Sequence, residues 1–319
     1  NHCATGSSFI EQHPEAAYNL KNSPYMRAAY ELDKALAEFT EALSKRKVSN
    51  YPFGNRIENE EALSKIMQIL RVEVIPKLKL HEYFQMDTQK VFEEFRNAES
   101  EGQAEQNLVE TFQKNGLEYL IRHYALLGEG EGRFTVHIDS ELVWKVLKTA
   151  GVPKDQILKQ VKGALSAINS HLLSRLDNHI GDVLKNTEGD IRYHKIEQGM
   201  MEITSKNPLV NRYFSELKNG EVITHNGFIM GYNEVLKDFA GKQGWHYFRR
   251  NVVVWGDCVK LRYGNSYEDC PVLWENMEKY VTTMARIFKG LRLDNTHSTP
   301  IHVSEYLLKK ARQVTPTCS

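Results

Sequence analysis

The sequence predicts an α-rich α+β chain whose last quarter runs helix–strand–helix, the unit from which barrels and wound sheets are built. Two patterns carry this reading. Apolar residues recur three and four apart over most of the first two hundred positions. After Met201 the texture changes, with more Gly, Asn and aromatic residues and short apolar runs in place of long helices. At 319 residues the chain can bury one large core or two ordinary ones.

Tyr25 to Lys47 reads as an amphipathic helix, with Ala29, Leu32, Leu36, Phe39 and Leu43 on one face. Ser49 to Asn55 is rich in turn formers and reads as a loop. Glu60 to Ile75 repeats the helical pattern through Leu63, Met67, Leu70 and Val74, and Pro76 is expected to stop it. Leu80 to Arg96 is expected to be helical, Ala98 to Asn107 a solvated loop, and Arg133 to Ile138 a short strand. Ser140 is placed to cap a helix over Glu141 to Ala150. Gly151 and Pro153 break that helix, and Pro153 suits the first position of the next. That next stretch aligns Ile157, Val161, Leu165, Ile168, Leu172, Leu176 and Ile180, so a helical hairpin is expected.

In the last third the apolar runs are Val222–Thr224, Phe228–Met230 and Val252–Trp255. Pro271 to Phe288 reads as a helix with Leu273, Met277, Tyr280, Met284 and Ile287 inward. A strand over Gly290 to Asp294 is expected next. The final helix has Thr299 as its expected N-cap, Pro300 at its first position, and Val303, Tyr306, Leu307 and Val314 apolar. No internal repeat is visible.

Lys+Arg and Asp+Glu number 41 each, so electrostatics makes no case for a nucleic-acid or anionic-membrane partner. No apolar run approaches the roughly 20 residues of a membrane span. The four cysteines (Cys3, Cys258, Cys270, Cys318) form no CxxC pair, so free thiols in a reducing cytosol are expected and a zinc site is not. The chain begins at Asn1 with no signal peptide after it, and Gln313 to Ser319 trails off behind a helical pattern. Both ends read as cut, so a fragment is expected.

On a strand, side chains two apart share a side, which places Arg292 with Asp294 and turns Leu291 and Leu293 the other way. Asp294 would stand at the C-terminal end of its strand, where barrels gather catalytic groups. An arginine beside a carboxylate favours the ionised form, as a nucleophile requires and a general acid does not. From the local pattern alone, an Arg–Asp pair that merely fixes a loop fits equally well.

Gly290-Leu-Arg-Leu-Asp-Asn-Thr-His-Ser-Thr-Pro300 resembles the fourth-strand nucleophile motif of the α-amylase clan of glycoside hydrolases. Its continuation, Asn295 to Tyr306, resembles the eukaryotic glycogen debranching enzymes in particular. So do Asn1-His2 with Glu11 to Leu20, Asn207 to Phe214, His225-Asn-Gly227, and Val254 to Gly264. The resemblance is dense over about the first 85 residues and from Asn207 onward. It implies an α-rich fragment of a (β/α)8 TIM barrel. Residues 1–56 would follow barrel strand 3, 57–200 would form a large helical insertion, and 201–319 would return to the barrel with strand 4 at 290–294.

The resemblance further implies a 4-α-glucanotransferase acting on glycogen and maltooligosaccharides, cytoplasmic, with no cofactor or metal. It makes Asp294 the nucleophile and Arg292 the arginine that orients it. His2 and His297 would contact sugars on the two sides of the bond exchanged, with Asn295 beside them; Asp257 matches, more loosely, the clan's short motif at the end of the inserted domain, and Trp255 could stack on a glucose ring. Each has a plainer reading as a terminus, helix-start, turn or core residue, and Trp245 and Tyr263 could stack on glucose or fill a core. A retaining enzyme needs a second carboxyl about 5–5.5 Å from the nucleophile. The only glutamate after Asp294 is Glu305, inside an expected helix, so the isolated chain is expected to be inactive.

Overall fold

A computed structural model of the chain describes residues 7–17, 24–128, 132–174, 176–199, 202–229, 252–259, 261–294, 296 and 299–318. These fall into two compact units. One takes the described residues of Asn1–Leu20, Arg212–Ile229 and Val253–Ser319; the other takes those of Lys21–Asn211 and Met230–Val252. The fold is rich in helix with few strands, and no helix among the described residues is long and apolar enough to cross a membrane.

The first unit in chain order opens with α1 (Ser7–Gln12), and the helical unit follows with α2 (Pro24–Ser44). Ala29, Leu32, Leu36, Phe39 and Leu43 are all buried, as the spacing predicts. Helix α3 (Glu60–Ile69) is capped by Asn59, whose side chain accepts from the Ala62 amide. It continues through a π turn over Leu70–Val74 into a 3-10 turn over Ile75–Leu78. Pro76 therefore sits in the first turn of the tighter segment rather than ending the helix outright. These elements enclose one core with a later helix, α9 (Leu176–Ile191), centred on Leu32, Leu63, Ile66, Leu70, Val183 and Ile191.

The expected helix from Leu80 to Arg96 is two pieces, a 3-10 segment over Leu80–Phe84 and α4 (Thr88–Asn97). Asp87 makes the break, because its side chain accepts from the Lys90 amide and starts a new helix. Helices α5 (Gln106–Asn115) and α6 (Leu117–Leu120) follow, with a π turn over Ile121–Ala125. Strands β1 (Leu126–Gly128) and β2 (Val136–Ile138) then pair antiparallel, Leu126 opposite Ile138. The expected strand thus loses Arg133 to Thr135, because Phe134 adopts φ +55°, outside strand geometry.

Helix α7 (Ser140–Thr149) is capped by Asp139, whose carboxylate accepts from the Leu142 amide; Ser140, the expected cap, is the first helical residue. Gly151 turns the chain at φ +77°, and Pro153 immediately precedes α8 (Lys154–Ser174), accepting from the Gln156 and Ile157 amides. Helix α9 (Leu176–Ile191) ends in a π turn over Arg192–Glu197. The second core of this unit centres on Trp144, which is fully buried, stacks on Phe95 at 4.8 Å and donates its indole N–H to the Phe95 carbonyl at 2.7 Å.

In the other unit, β3 (Phe214–Glu216), β4 (Val222–Ile229) and β5 (Val252–Val259) form a sheet in that order. Strands β3 and β4 are an antiparallel hairpin, Phe214 opposite Thr224. Helix α10 (Pro271–Ile287) buries Leu273, Trp274, Met277, Val281 and Ala285. The expected inward residues Tyr280 and Ile287 are exposed instead, because the buried stripe advances in steps of four from Leu273 and Met277. Helix α11 (Ile301–Val314) buries Val303, Leu307 and Ala311. Its cap position is Pro300, one residue after Thr299, and Pro300 makes no side-chain cap bond.

The expected strand Gly290–Asp294 has no ladder among the described residues, and the chain turns at Asp294. A strand exists only through hydrogen bonds to a neighbour, and none of β1 to β5 pairs with this stretch.

Candidate functional site

Helices α10 and α11 run side by side in the same direction. Trp274 meets His302 and Tyr306, Glu278 meets Tyr306 and Lys310, and the Ala285 carbonyl accepts from the Thr315 hydroxyl, so contacts climb both helices together. The connection between them must therefore travel back along α10. The 17 residues of that helix span about 26 Å, a distance a run of about eight extended residues covers. Arg292 and Asp294 lie on this return path.

Leu291 packs against the core of the unit, while Arg292 and Asp294 face solvent, with side chains 88% and 71% exposed. The Arg292 guanidinium Nη2 stands 3.4 Å from Asp294 Oδ1. That is a long contact, and an exposed ion pair contributes little to stability. The pair is thus free of any heavy structural duty.

The start of the helix pair is held by a tight turn over Tyr263 to Ser266. Gly264 has φ +68°, and a Cβ there would sit 2.3 Å from the Cβ of Asp269, so only glycine fits. The Asp269 carboxylate accepts from the Asn265 and Ser266 amides at 2.7 and 3.0 Å, bonds that hold its carboxyl below the usual range. Buried Trp274 donates its indole N–H to the Tyr263 carbonyl at 2.9 Å. Tyr263 is itself 6% exposed, and burial pushes its phenol up to about 12. Of the two readings open for Tyr263, it is a core residue. His302 places Nε2 3.1 Å from the Gly264 carbonyl. Further along, Tyr306 and Lys310 both bond Glu278 and hold its carboxyl below its ordinary value.

Of the other expected site residues, Trp255 and Asp257 fall on the backbone of β5, with side chains outside the described residues. His2, Asn295, His297 and Trp245 lie outside the described residues. Glu305 is exposed on α11, beside a surface depression of about 570 Å³ lined also by Leu308, Lys309, Arg312 and Gln313; Asp294 does not line it. Among the described residues no cluster of three His, Cys, Asp or Glu could hold a metal, and Cys270 and Cys318 are free and buried. The ties made by Gly264, Asp269, Trp274 and His302 went unmarked at the sequence level. His302 lay inside a motif that the resemblance had picked out, but nothing in that motif says which carbonyl it reaches.

Residues 1–318 match the family model for the glucanotransferase domain of glycogen debranching enzyme. The chain is 33% identical, over 339 aligned positions, to the glycogen debranching enzyme of Saccharomyces cerevisiae; the alignment covers 99% of this chain and 22% of the yeast protein. The chain thus spans about a fifth of the length of that relative. With a family model covering essentially all of it, the chain belongs to the glucanotransferase-domain family of glycogen debranching enzymes.

Proposed function

We propose that this chain is part of a 4-α-glucanotransferase that moves maltooligosaccharides between branches of glycogen, in the cytoplasm, with Asp294 as its nucleophile. The observation that carries the reading is the Arg292–Asp294 pair on the return path between two parallel helices, at the turn that leads into α11. In a barrel the C-terminal ends of strands and the N-terminal ends of the following helices share one face, and that face holds the chemistry. Residues 290–294 would be barrel strand 4, paired when neighbouring strands are beside it. Residues 1–56 would follow strand 3, and 57–200 would be an insertion shaping the glucan cleft.

In this reading the Asp294 carboxylate attacks the anomeric carbon of the donor. A glucosyl ester forms, and the glycosidic oxygen leaves with a proton from a second carboxyl group. A hydroxyl of the acceptor glucan then attacks the ester, gives its proton to that same carboxylate, and frees Asp294. Arg292 holds the Asp294 anion in line for attack. His2, Asn295, His297, Trp255 and Asp257 would contact the sugars. Exclusion of water by a bound acceptor would favour transfer over hydrolysis.

Glu305 is a poor second carboxyl, since it projects from the exposed face of a helix. We therefore expect the 319-residue chain by itself to catalyse no disproportionation of maltooligosaccharides. In a full-length enzyme carrying this chain, Asp294→Asn is expected to lower transfer by about 10⁴-fold while glycogen co-sedimentation persists. Near-normal transfer by that variant would sink the assignment of Asp294.

A further inference from the structure

Pro300 occupies the cap position of helix α11, and a proline side chain cannot cap it. A lateral tie is made at its first turn. His302, half-buried in the first turn, reaches the Gly264 carbonyl with Nε2 at 3.1 Å and stacks its ring on Trp274 at 5.9 Å and 27°. A carbonyl only accepts, so Nε2 carries the proton.

The group that His302 bonds is itself tied on several sides. Gly264 sits in a backbone conformation no side chain can share, with Asp269 packed against it. Asp269 ties the next two amides, and Trp274 ties the preceding carbonyl. The Arg262 amide donates to the Ala16 carbonyl at 2.9 Å, and Leu261 bridges to Ala17, which fixes the turn to a further stretch of the same unit. Between Asp294 and α11, the Thr299 amide donates to the Thr296 carbonyl at 3.3 Å. Only six residues separate Asp294 from Ile301, so the start of α11 tethers the segment that carries Arg292 and Asp294.

From this network we infer that His302 is a positioning residue for glucan transfer: by bonding the Gly264 carbonyl it sets the start of α11 and, through it, the stance of Asp294. The inference rests on the reading of Asp294 as nucleophile. His302 acts through the Gly264 carbonyl and not by touching substrate. Its effect is on alignment, where a displacement of about 1 Å can cost about 100-fold in rate.

The test uses the full-length enzyme carrying His302→Ala, His302→Gln or Asp294→Asn. Gln is the conservative choice, because its amide can donate to the same carbonyl. His302→Ala is expected to lower kcat for maltooligosaccharide transfer about tenfold, with KM within twofold and the thermal midpoint within a few degrees of the parent. His302→Gln is expected to recover most of that kcat. A His302→Ala enzyme with parental kcat overturns the inference. So does one that unfolds, which would make His302 a stability residue only, or a folded Gln variant no better than Ala. Full transfer activity in Asp294→Asn would instead remove the nucleophile reading, a result distinguishable from any of these.

Discussion

Replacing Trp274 by Phe removes one hydrogen atom of consequence. The indole N–H is bonded to the Tyr263 carbonyl at 2.9 Å, at a place where Trp274 is 3% and Tyr263 6% exposed. Phenylalanine keeps an aromatic ring between His302 and Tyr306, whose rings lie 5.9 and 4.9 Å from the indole. It leaves the carbonyl stranded away from water, which costs about 1–3 kcal/mol, and a smaller ring adds a packing defect. The middle of that range, about 2 kcal/mol, is close to a 30-fold change in an opening equilibrium. Amide hydrogen exchange read by mass spectrometry on peptides of α10 and α11 measures this opening directly, without requiring the two units to unfold together. Exchange in both helices is expected to speed up about 30-fold in Trp274→Phe. An increase below about fivefold, equivalent to ~1 kcal/mol, would show that the turn is not held by this bond.

Two further outcomes follow from the helical unit. Asp139→Ala should destabilise α7 by about 1 kcal/mol, while Ser140→Ala should change it by less than about 0.5 kcal/mol, both read by exchange in that helix; the reverse order would restore Ser140 as the cap. Lys195 is 2% exposed, donates to Asn207 Oδ1, and is pushed by burial from 10.5 down to about 8, against a smaller opposing pull from Asp190. Between those values the unfolded chain binds the proton and the folded chain does not, so this group's contribution to stability rises with pH from about 8. Buried Tyr51, Tyr83 and Tyr263 have raised values and act in the opposite sense only above their ordinary value of 10. Urea midpoints measured from pH 7.5 to 9.5 should therefore climb in the parent more than in Lys195→Met, and parallel profiles would refute the burial of a charge at this site.

The long helices were legible because burial repeats with the helical period, and the residues Leu32, Leu36 and Leu43 are buried for the reason their spacing implies. What escaped the pattern was set by single polar atoms. Asp87 and Asp139 each offer a carboxylate to an amide three residues on, and each moves a helix start that periodicity alone placed elsewhere. The buried face of α10 was misjudged because Tyr280 and Ile287 are apolar by composition yet lie off the stripe that faces α11. The strand expected over Gly290–Asp294 could not be settled by its own residues, since a ladder depends on what lies beside it. Arg292 and Asp294 were legible as a pair because they are two apart. His302 and Gly264, 38 residues apart, were not: their bond exists only once α10 and α11 are packed in parallel.

As proposed above for the nucleophile, Asp294 carries the glycosyl group during transfer. A fluorinated α-glucosyl fluoride that forms the ester quickly and releases it slowly would trap that state on a full-length enzyme carrying this chain, and peptide mass spectrometry would locate it. The added sugar is expected on the peptide containing Asp294, and none on the Asp294→Asn enzyme. A stable label on any other carboxylate, with Asp294 unmodified, would contradict it.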